Sequence, residues 1–103
     1  MSRVTAAKFS EMRNGEARKV DVDGEAVVIV RIGDDVYALA DTCSHAEASL
    51  SEGDVYGDDL EIECPLHGST FDLESGEACN LPATEPVAVY TATVEGDDVV
   101  VEI

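Results

Sequence analysis

Residues 26–32 read Ala-Val-Val-Ile-Val-Arg-Ile, the densest β-branched stretch in the chain. Flanked by Asp23-Gly24 and by Gly33-Asp34-Asp35, it predicts a strand bounded by turns. Residues 36–39, Val-Tyr-Ala-Leu, come next as its hairpin partner. Upstream, residues 17–22 alternate weakly and run into the Asp23-Gly24 turn. Beyond Asp41-Thr42, residues 46–51 are the one place where a helical turn is expected. Gly53 and Gly57-Asp58-Asp59 punctuate the next stretch, and residues 60–63 alternate as a short strand. Residues 69–73 form another, turned by Ser75-Gly76. Residues 87–94 and 99–103 predict a last hairpin across residues 95–98. Many short strands with regular turns, and no repeat, linker or low-complexity tract, predict an all-β sandwich or barrel. At 103 residues the chain is expected to form one domain, 1–103.

Composition adds a strong electrostatic bias. Twenty-three acidic residues face six basic ones, a formal net charge of −17. The basic residues fall early, and the rest of the chain is almost uniformly acidic. Phosphate repels such a surface, so neither nucleic acid nor anionic membrane is expected as a partner. The charge favours fast, salt-sensitive docking on a basic protein face, or else serves solubility or adaptation to high salt. No run of about 18 apolar residues is present, so no transmembrane helix is expected. The N-terminus shows no basic region followed by an apolar stretch, so no signal peptide is expected either.

The candidate chemistry sits in two short stretches, Cys43-Ser44-His45 and Cys64-Pro65-Leu66-His67, eighteen residues apart. Four of the chain's five Cys and His residues fall in them. Thiolate and imidazole suit soft and borderline metals, so two close pairs suggest a four-ligand site. Zinc accepts two Cys and two His, but the finger order places both Cys first, and here the order is Cys, His, Cys, His. The single residue between Cys43 and His45 makes it hard for both to reach one ion tetrahedrally. A dinuclear centre removes that difficulty, with both Cys on one iron and both His on the other, as in the Rieske ligand set. Free thiols that bind a metal fit a reducing compartment, so a cytoplasmic location is expected.

Cys43-x-His45 followed by Cys64-x-x-His67-Gly68 resembles the paired motif of the Rieske family. The likeness extends through Ser69-Thr70-Phe71-Asp72 and to Leu81-Pro82-Ala83-Thr84-Glu85-Pro86, which resembles the proline-bearing loop covering the cluster. It spans the chain from about Val27 onward. The resemblance implies a Rieske-like antiparallel β-sandwich with a cluster-binding subdomain of two loops. It also implies one [2Fe–2S] cluster held by Cys43, His45, Cys64 and His67, the histidines outermost. Gly68 is expected to permit a tight turn just after a ligand. Rieske proteins of cytochrome bc complexes carry a further Cys in each ligand loop, joined as a disulfide. Ala48 and Leu66 stand at the matching positions and cannot form it. Those proteins also carry Tyr where this chain has Phe71, whereas Ser69, whose hydroxyl could reach a bridging sulfide, is kept. The chain is therefore similar to soluble Rieske-type ferredoxins of multicomponent aromatic-ring dioxygenases. Cys79, the remaining thiol, is expected to be a buried small apolar residue.

The function so implied is a soluble, monomeric one-electron carrier between a flavin-containing reductase and a terminal oxygenase. It is not itself an enzyme: nothing in the chain reads as a nucleophile, a base or a substrate pocket. Two alternatives stay open on the sequence, a small subunit of an assimilatory nitrite reductase and a zinc-binding structural module.

Overall fold

The computed structural model describes residues 3–44, 48–66, 68–80 and 83–103. Among these residues nine strands succeed one another: β1 (Arg3–Lys8), β2 (Ala17–Val22), β3 (Glu25–Ile32), β4 (Asp35–Ala40), β5 (Val55–Tyr56), β6 (Glu61–Glu63), β7 (Thr70–Asp72), β8 (Val89–Glu95) and β9 (Asp98–Glu102). Short 3₁₀ turns at Phe9–Glu11 and Leu50–Glu52 are the only helical pieces among the described residues. All ladders are antiparallel. Six strands form one sheet in the order β1-β9-β8-β4-β3-β2, whose two edge strands approach one another so that the sheet curls toward a barrel. The other three form a small sheet, β5-β6-β7.

β3 shows why the hydrophobic run is continuous rather than alternating. Val27, Val28, Ile29 and Val30 are all fully buried. Val27 and Ile29 point into a core with Met12, Val22, Ala38, Val99 and Val101, inside the curled sheet. Val28 and Val30 point the other way, into a core shared with the small sheet that contains Leu39, Leu50, Ile62, Phe71, Leu73, Cys43 and Cys64. A strand between two cores needs apolar side chains on both faces. At roughly 1.5–3 kcal/mol per fully buried aliphatic side chain, this strand contributes heavily to a small domain's stability. Two-residue connections close its flanking hairpins, with Val22 opposite Glu25 and Ile32 opposite Asp35.

Three expectations shift in detail. Leu60 is not part of the strand: it adopts φ +54 in the turn after Gly57, and packs against the core that holds the cysteines. The final hairpin starts at Val89, because Val87 and Ala88 bond instead to Gly76 and Ala40. The helical turn falls at Leu50–Glu52, while Ala46 and Glu47 lie outside the described residues. Among the described residues no helix is long and apolar enough to cross a membrane.

Candidate metal centre

The two candidate ligand loops are built alike. In the second, the amide of Cys64 donates to the Ser69 carbonyl at 2.7 Å, and Gly68 donates back to the Cys64 carbonyl at 3.1 Å. The loop caps the β6–β7 hairpin, where Ile62 faces Phe71 and Glu63 faces Thr70. Gly68 takes φ +75, a conformation that L side chains rarely adopt, in keeping with the tight turn expected at this glycine. In the first loop the amide of Cys43 donates to the Ala48 carbonyl at 2.9 Å, above an isolated bridge between Thr42 and Ser49. This loop leaves β4 and closes on itself through that bridge, so only the second loop is a strand-hairpin tip. Asp41, almost fully buried, anchors the first loop's return: its carbonyl accepts Leu50 N–H at 2.7 Å and its Oδ1 accepts Ser51 N–H at 3.0 Å. Because Cys43 and Cys64 spend their own amides on loop closure, any N–H donors to their sulfurs must come from elsewhere in the loops.

Both thiols lie at the bottom of these loops, buried and unbridged, in one apolar core. His45 and His67 lie outside the described residues, as do Leu81 and Pro82. Among the described residues no third Cys, His, Asp or Glu joins the two cysteines in a metal-holding group. Above the thiols, Pro65 and Leu66 are exposed, Leu66 by 61%. A groove of about 370 Å³ runs beside them, lined by Ala48, Ser49, Glu52, Pro65 and Leu66. Ser69 is buried, and its Oγ accepts Ala83 N–H at 3.0 Å. A hydroxyl donates one proton, so that bond leaves the Ser69 O–H able to donate to an electron-rich sulfur.

The loops meet through Gly53. A Cβ there would overlap the Glu63 carbonyl oxygen, immediately before Cys64. Glu63 also donates its amide to Asp54 at 2.8 Å, so the two backbones are locked side by side. Gly53→Ala must push them apart. Overpacking of this kind costs roughly 1–3 kcal/mol, on the order of 5–20 °C in melting temperature for a domain of this size. Gly57→Ala is the control, since its Cβ would meet only Ile32 at 3.5 Å. Thermal denaturation of the two variants compares them, and equal melting temperatures would refute the locked contact.

The electrostatics are one-sided. Arg3 pairs with Glu95 and Glu102, Lys8 with Asp98, Arg18 with Glu16, and Lys19 approaches Asp41 at 3.9 Å. Arg31 stacks on Phe9 and donates to the Phe9, Met12 and Gly33 carbonyls. No Lys or Arg follows residue 31. On the small sheet Glu61 faces Asp72 directly, and like charges opposite one another are destabilising. Tyr56 donates to Glu63 at 2.6 Å, and that bond raises the phenol pKa. Cys79 is exposed, contrary to the expectation of a buried thiol, because its backbone pairs with Thr70 at the outer edge of the small sheet. Desolvation of the sulfur, with the charges of Glu61 and Asp72, nonetheless pushes its pKa up, so the thiol stays protonated and is no reactive thiolate.

The model of the Rieske [2Fe-2S] domain matches residues 2–91. The chain belongs to the Rieske [2Fe-2S] family. It is 39% identical over 103 residues to the 3-phenylpropionate/cinnamic acid dioxygenase ferredoxin subunit of Escherichia coli K12, covering all of this chain and 95% of that one. Among solved structures it is similar to the ferredoxin of carbazole 1,9a-dioxygenase from Nocardioides aromaticivorans IC177, with TM-score 0.95, 42% identity and 98% and 97% of the two chains covered. It is also similar to a ferredoxin solved in complex with the oxygenase of carbazole 1,9a-dioxygenase, with TM-score 0.90, 37% identity and 96% and 100% covered. A Mycobacterium tuberculosis structure assigned as an NADH-dependent nitrite reductase small subunit shares the fold at 26% identity and TM-score 0.86, with 96% and 92% covered. The chain is thus a Rieske-type ferredoxin, and the cofactor of its family is a [2Fe–2S] cluster. Two buried, unbridged thiols on matching loops fit that group.

Proposed function

We propose that this Rieske-type ferredoxin is a soluble one-electron carrier that delivers electrons to a terminal oxygenase and receives them from a flavin-containing reductase. The observation that carries this reading is the placement of Cys43 and Cys64, buried together beneath an exposed apolar tip formed by Pro65 and Leu66. An electron leaving such a site crosses a short, dry contact rather than the bulk of the protein. Likeness to ferredoxin subunits of dioxygenases supports the oxygenase as acceptor. Cys43, His45, Cys64 and His67 are the residues that would hold the cluster. When bound, the cluster supplies a site that takes up and releases one electron; the chain's own residues bind it, keep water from the thiols and present the tip. Cysteines without disulfide bonds fit a cytoplasmic location, and the chain is proposed to act as a monomer. The nitrite reductase reading shares the fold, but the identity to dioxygenase ferredoxins is higher.

Stopped-flow oxidation of the reduced protein by its oxygenase tests the proposal. With a net charge of −17 and four of its six basic side chains in ion pairs, encounter with a basic partner face is steered by the acidic field. The Debye length falls from about 10 Å at 0.1 M to about 3 Å at 1 M salt, so the second-order rate is expected to fall by about tenfold or more. Leu66→Glu should slow the same step without altering the visible spectrum. Rates that stay flat across that salt range would assign the acidity to solubility alone.

A further inference from the structure

Lys19 stands on β2, on the face of the six-stranded sheet that looks toward the cysteines. Its cross-strand partner is Val28, which lies in the core with Cys43 and Cys64. Paired residues point to the same side of a sheet, and so do residues two apart on one strand. Ala17, two residues before Lys19, packs against that same core, whereas Val20 and Val22 belong to the other one. From this face Lys19 Nζ comes within 3.9 Å of Asp41 Oδ2. Asp41 joins the sheet to the first loop. Its amide donates to the Ala26 carbonyl at 3.0 Å, its carbonyl accepts Leu50 N–H and its Oδ1 accepts Ser51 N–H. The Asp41 side chain is only 1% exposed, that of Lys19 56%.

We propose that Lys19 is a positioning residue: its charge holds the Asp41 carboxylate in place, which ties the first loop to β2 and offsets a negative charge two residues from Cys43. This rests on the reading of Cys43 and Cys64 as ligands. A buried carboxylate is costly unless it is paired, and self-repulsion in a chain of net charge −17 adds to that cost. No Lys or Arg follows residue 31, so a compensating cation has to come from the first third of the chain. Arg3, Lys8 and Arg18 pair with other carboxylates, and Arg31 stacks on Phe9. Lys19 is the one set beside Asp41. Without its charge the carboxylate gains by turning to water, and Ser51 N–H loses its acceptor. Because the Lys19 head is half exposed and screened, the effect is that of a surface pair, about two- to fivefold in how often the loop's return opens. The electrical consequence has its own sign. Reduction adds negative charge, so an uncompensated Asp41 opposes it and an uncompensated Lys19 favours it. Two residues of chain span at most about 7 Å. A unit charge screened by water at that range shifts a one-electron equilibrium roughly two- to threefold, or about 20–30 mV.

The test compares wild type, Lys19→Gln, Lys19→Arg and Asp41→Asn as purified holoprotein. Hydrogen exchange of the 48–52 segment, followed by mass spectrometry, reads the loop, and protein-film voltammetry reads the charge. Lys19→Gln is expected to speed exchange about two- to fivefold and to lower the reduction equilibrium two- to threefold. Lys19→Arg, which keeps the charge, should restore both. Asp41→Asn should raise the reduction equilibrium by a similar factor. The opposite signs separate this role from a merely structural one, which would loosen both single variants and move both potentials the same way. Wild-type exchange in Lys19→Gln would overturn the proposal, as would an unmoved potential or loss that Arg fails to restore. Wild-type protein without iron and sulfide would instead defeat the ligand assignment, and the exchange comparison would still decide whether Lys19 holds the loop.

Discussion

Cys43→Ser and Cys64→Ser are each expected to give colourless protein without bound iron or sulfide, whereas Cys79→Ser is expected to keep two irons and two acid-labile sulfides per chain. The prediction rests on burial. Cys43 and Cys64 sit in the apolar core between the two sheets, at the base of loops that each close on a cysteine amide. Cys79 is exposed at the outer edge of the small sheet. A serine hydroxyl is a far poorer ligand for iron than a thiolate, and in the core it also becomes a polar group in need of a partner. Losing a group that binds only the folded chain removes about 4 kcal/mol of stability if its site was saturated a thousandfold over Kd. In a domain of this size that is roughly 15–30 °C in melting temperature, so the two core variants should melt far below wild type and Cys79→Ser should not. Iron and sulfide analysis, with EPR of the reduced protein, checks it. A rhombic signal of low average g is expected from a centre with mixed ligands. Stoichiometric zinc in wild type, or loss of the cluster in Cys79→Ser, would refute the assignment. His45→Cys and His67→Cys test the remaining two ligands: a surviving cluster should have a lower potential, because thiolate donates more charge than imidazole.

Much of this architecture is written in local pattern. Residues 17–22 and 26–32 read as strands and are strands, because turn residues and β-branched runs agree there. The spacing of the motifs marks two loops that short-range backbone bonds close around Cys43 and Cys64, while His45 and His67 lie outside the described residues. What escapes pattern reading depends on distant partners. β1, Arg-Val-Thr-Ala-Ala-Lys, has weak intrinsic strand preference and is held by its ladder with β9 at the other end of the chain. β5 has two residues and exists only as the partner of β6. Leu60 alternates correctly for a strand, yet packing of its side chain into the core overrides that pattern and forces φ +54. Cys79 departs from expectation because residue type alone predicts burial for a lone Cys, while sheet register decides which face it takes. The role of Gly53 is invisible in the sequence for the same reason: a missing Cβ acquires meaning only when the chain opposite it is known.

Ser69 and Phe71 should move the reduction potential in opposite directions when changed. Rieske centres span about −150 to +300 mV, and hydrogen bonds to their sulfurs are one means of tuning within that span. Such bonds favour the reduced state, which carries one more negative charge. Ser69 is buried, and its oxygen already accepts from Ala83, so its proton is free to serve this purpose. Phe71 is fully buried in the core that contains both cysteines, and as a hydrocarbon ring it offers no such donor. The acidic surface acts in the same sense as that missing donor, because no Lys or Arg follows residue 31 to offset an added electron. Together these put the wild-type potential toward the lower end of the range, suited to feeding an oxygenase. Phe71→Tyr is therefore expected to raise the potential and Ser69→Ala to lower it. A hydrogen bond to a charged group is worth about 1.5–3 kcal/mol. For one electron, with a tenfold change in equilibrium per 59 mV, that bounds each shift at about 60–130 mV. Bonding that persists in both redox states reduces it. The two variants differ in their cost. Ser69→Ala also strands the buried Ala83 amide, so it should lose stability along with potential. Phe71→Tyr adds a hydroxyl that either reaches a sulfur, raising the potential, or stays unsatisfied, destabilising the core by about 1–3 kcal/mol. Protein-film voltammetry alongside thermal melts separates these outcomes. A wild-type potential near the top of the range, or two variants with the wild-type potential, would show that the sulfurs are tuned by other groups.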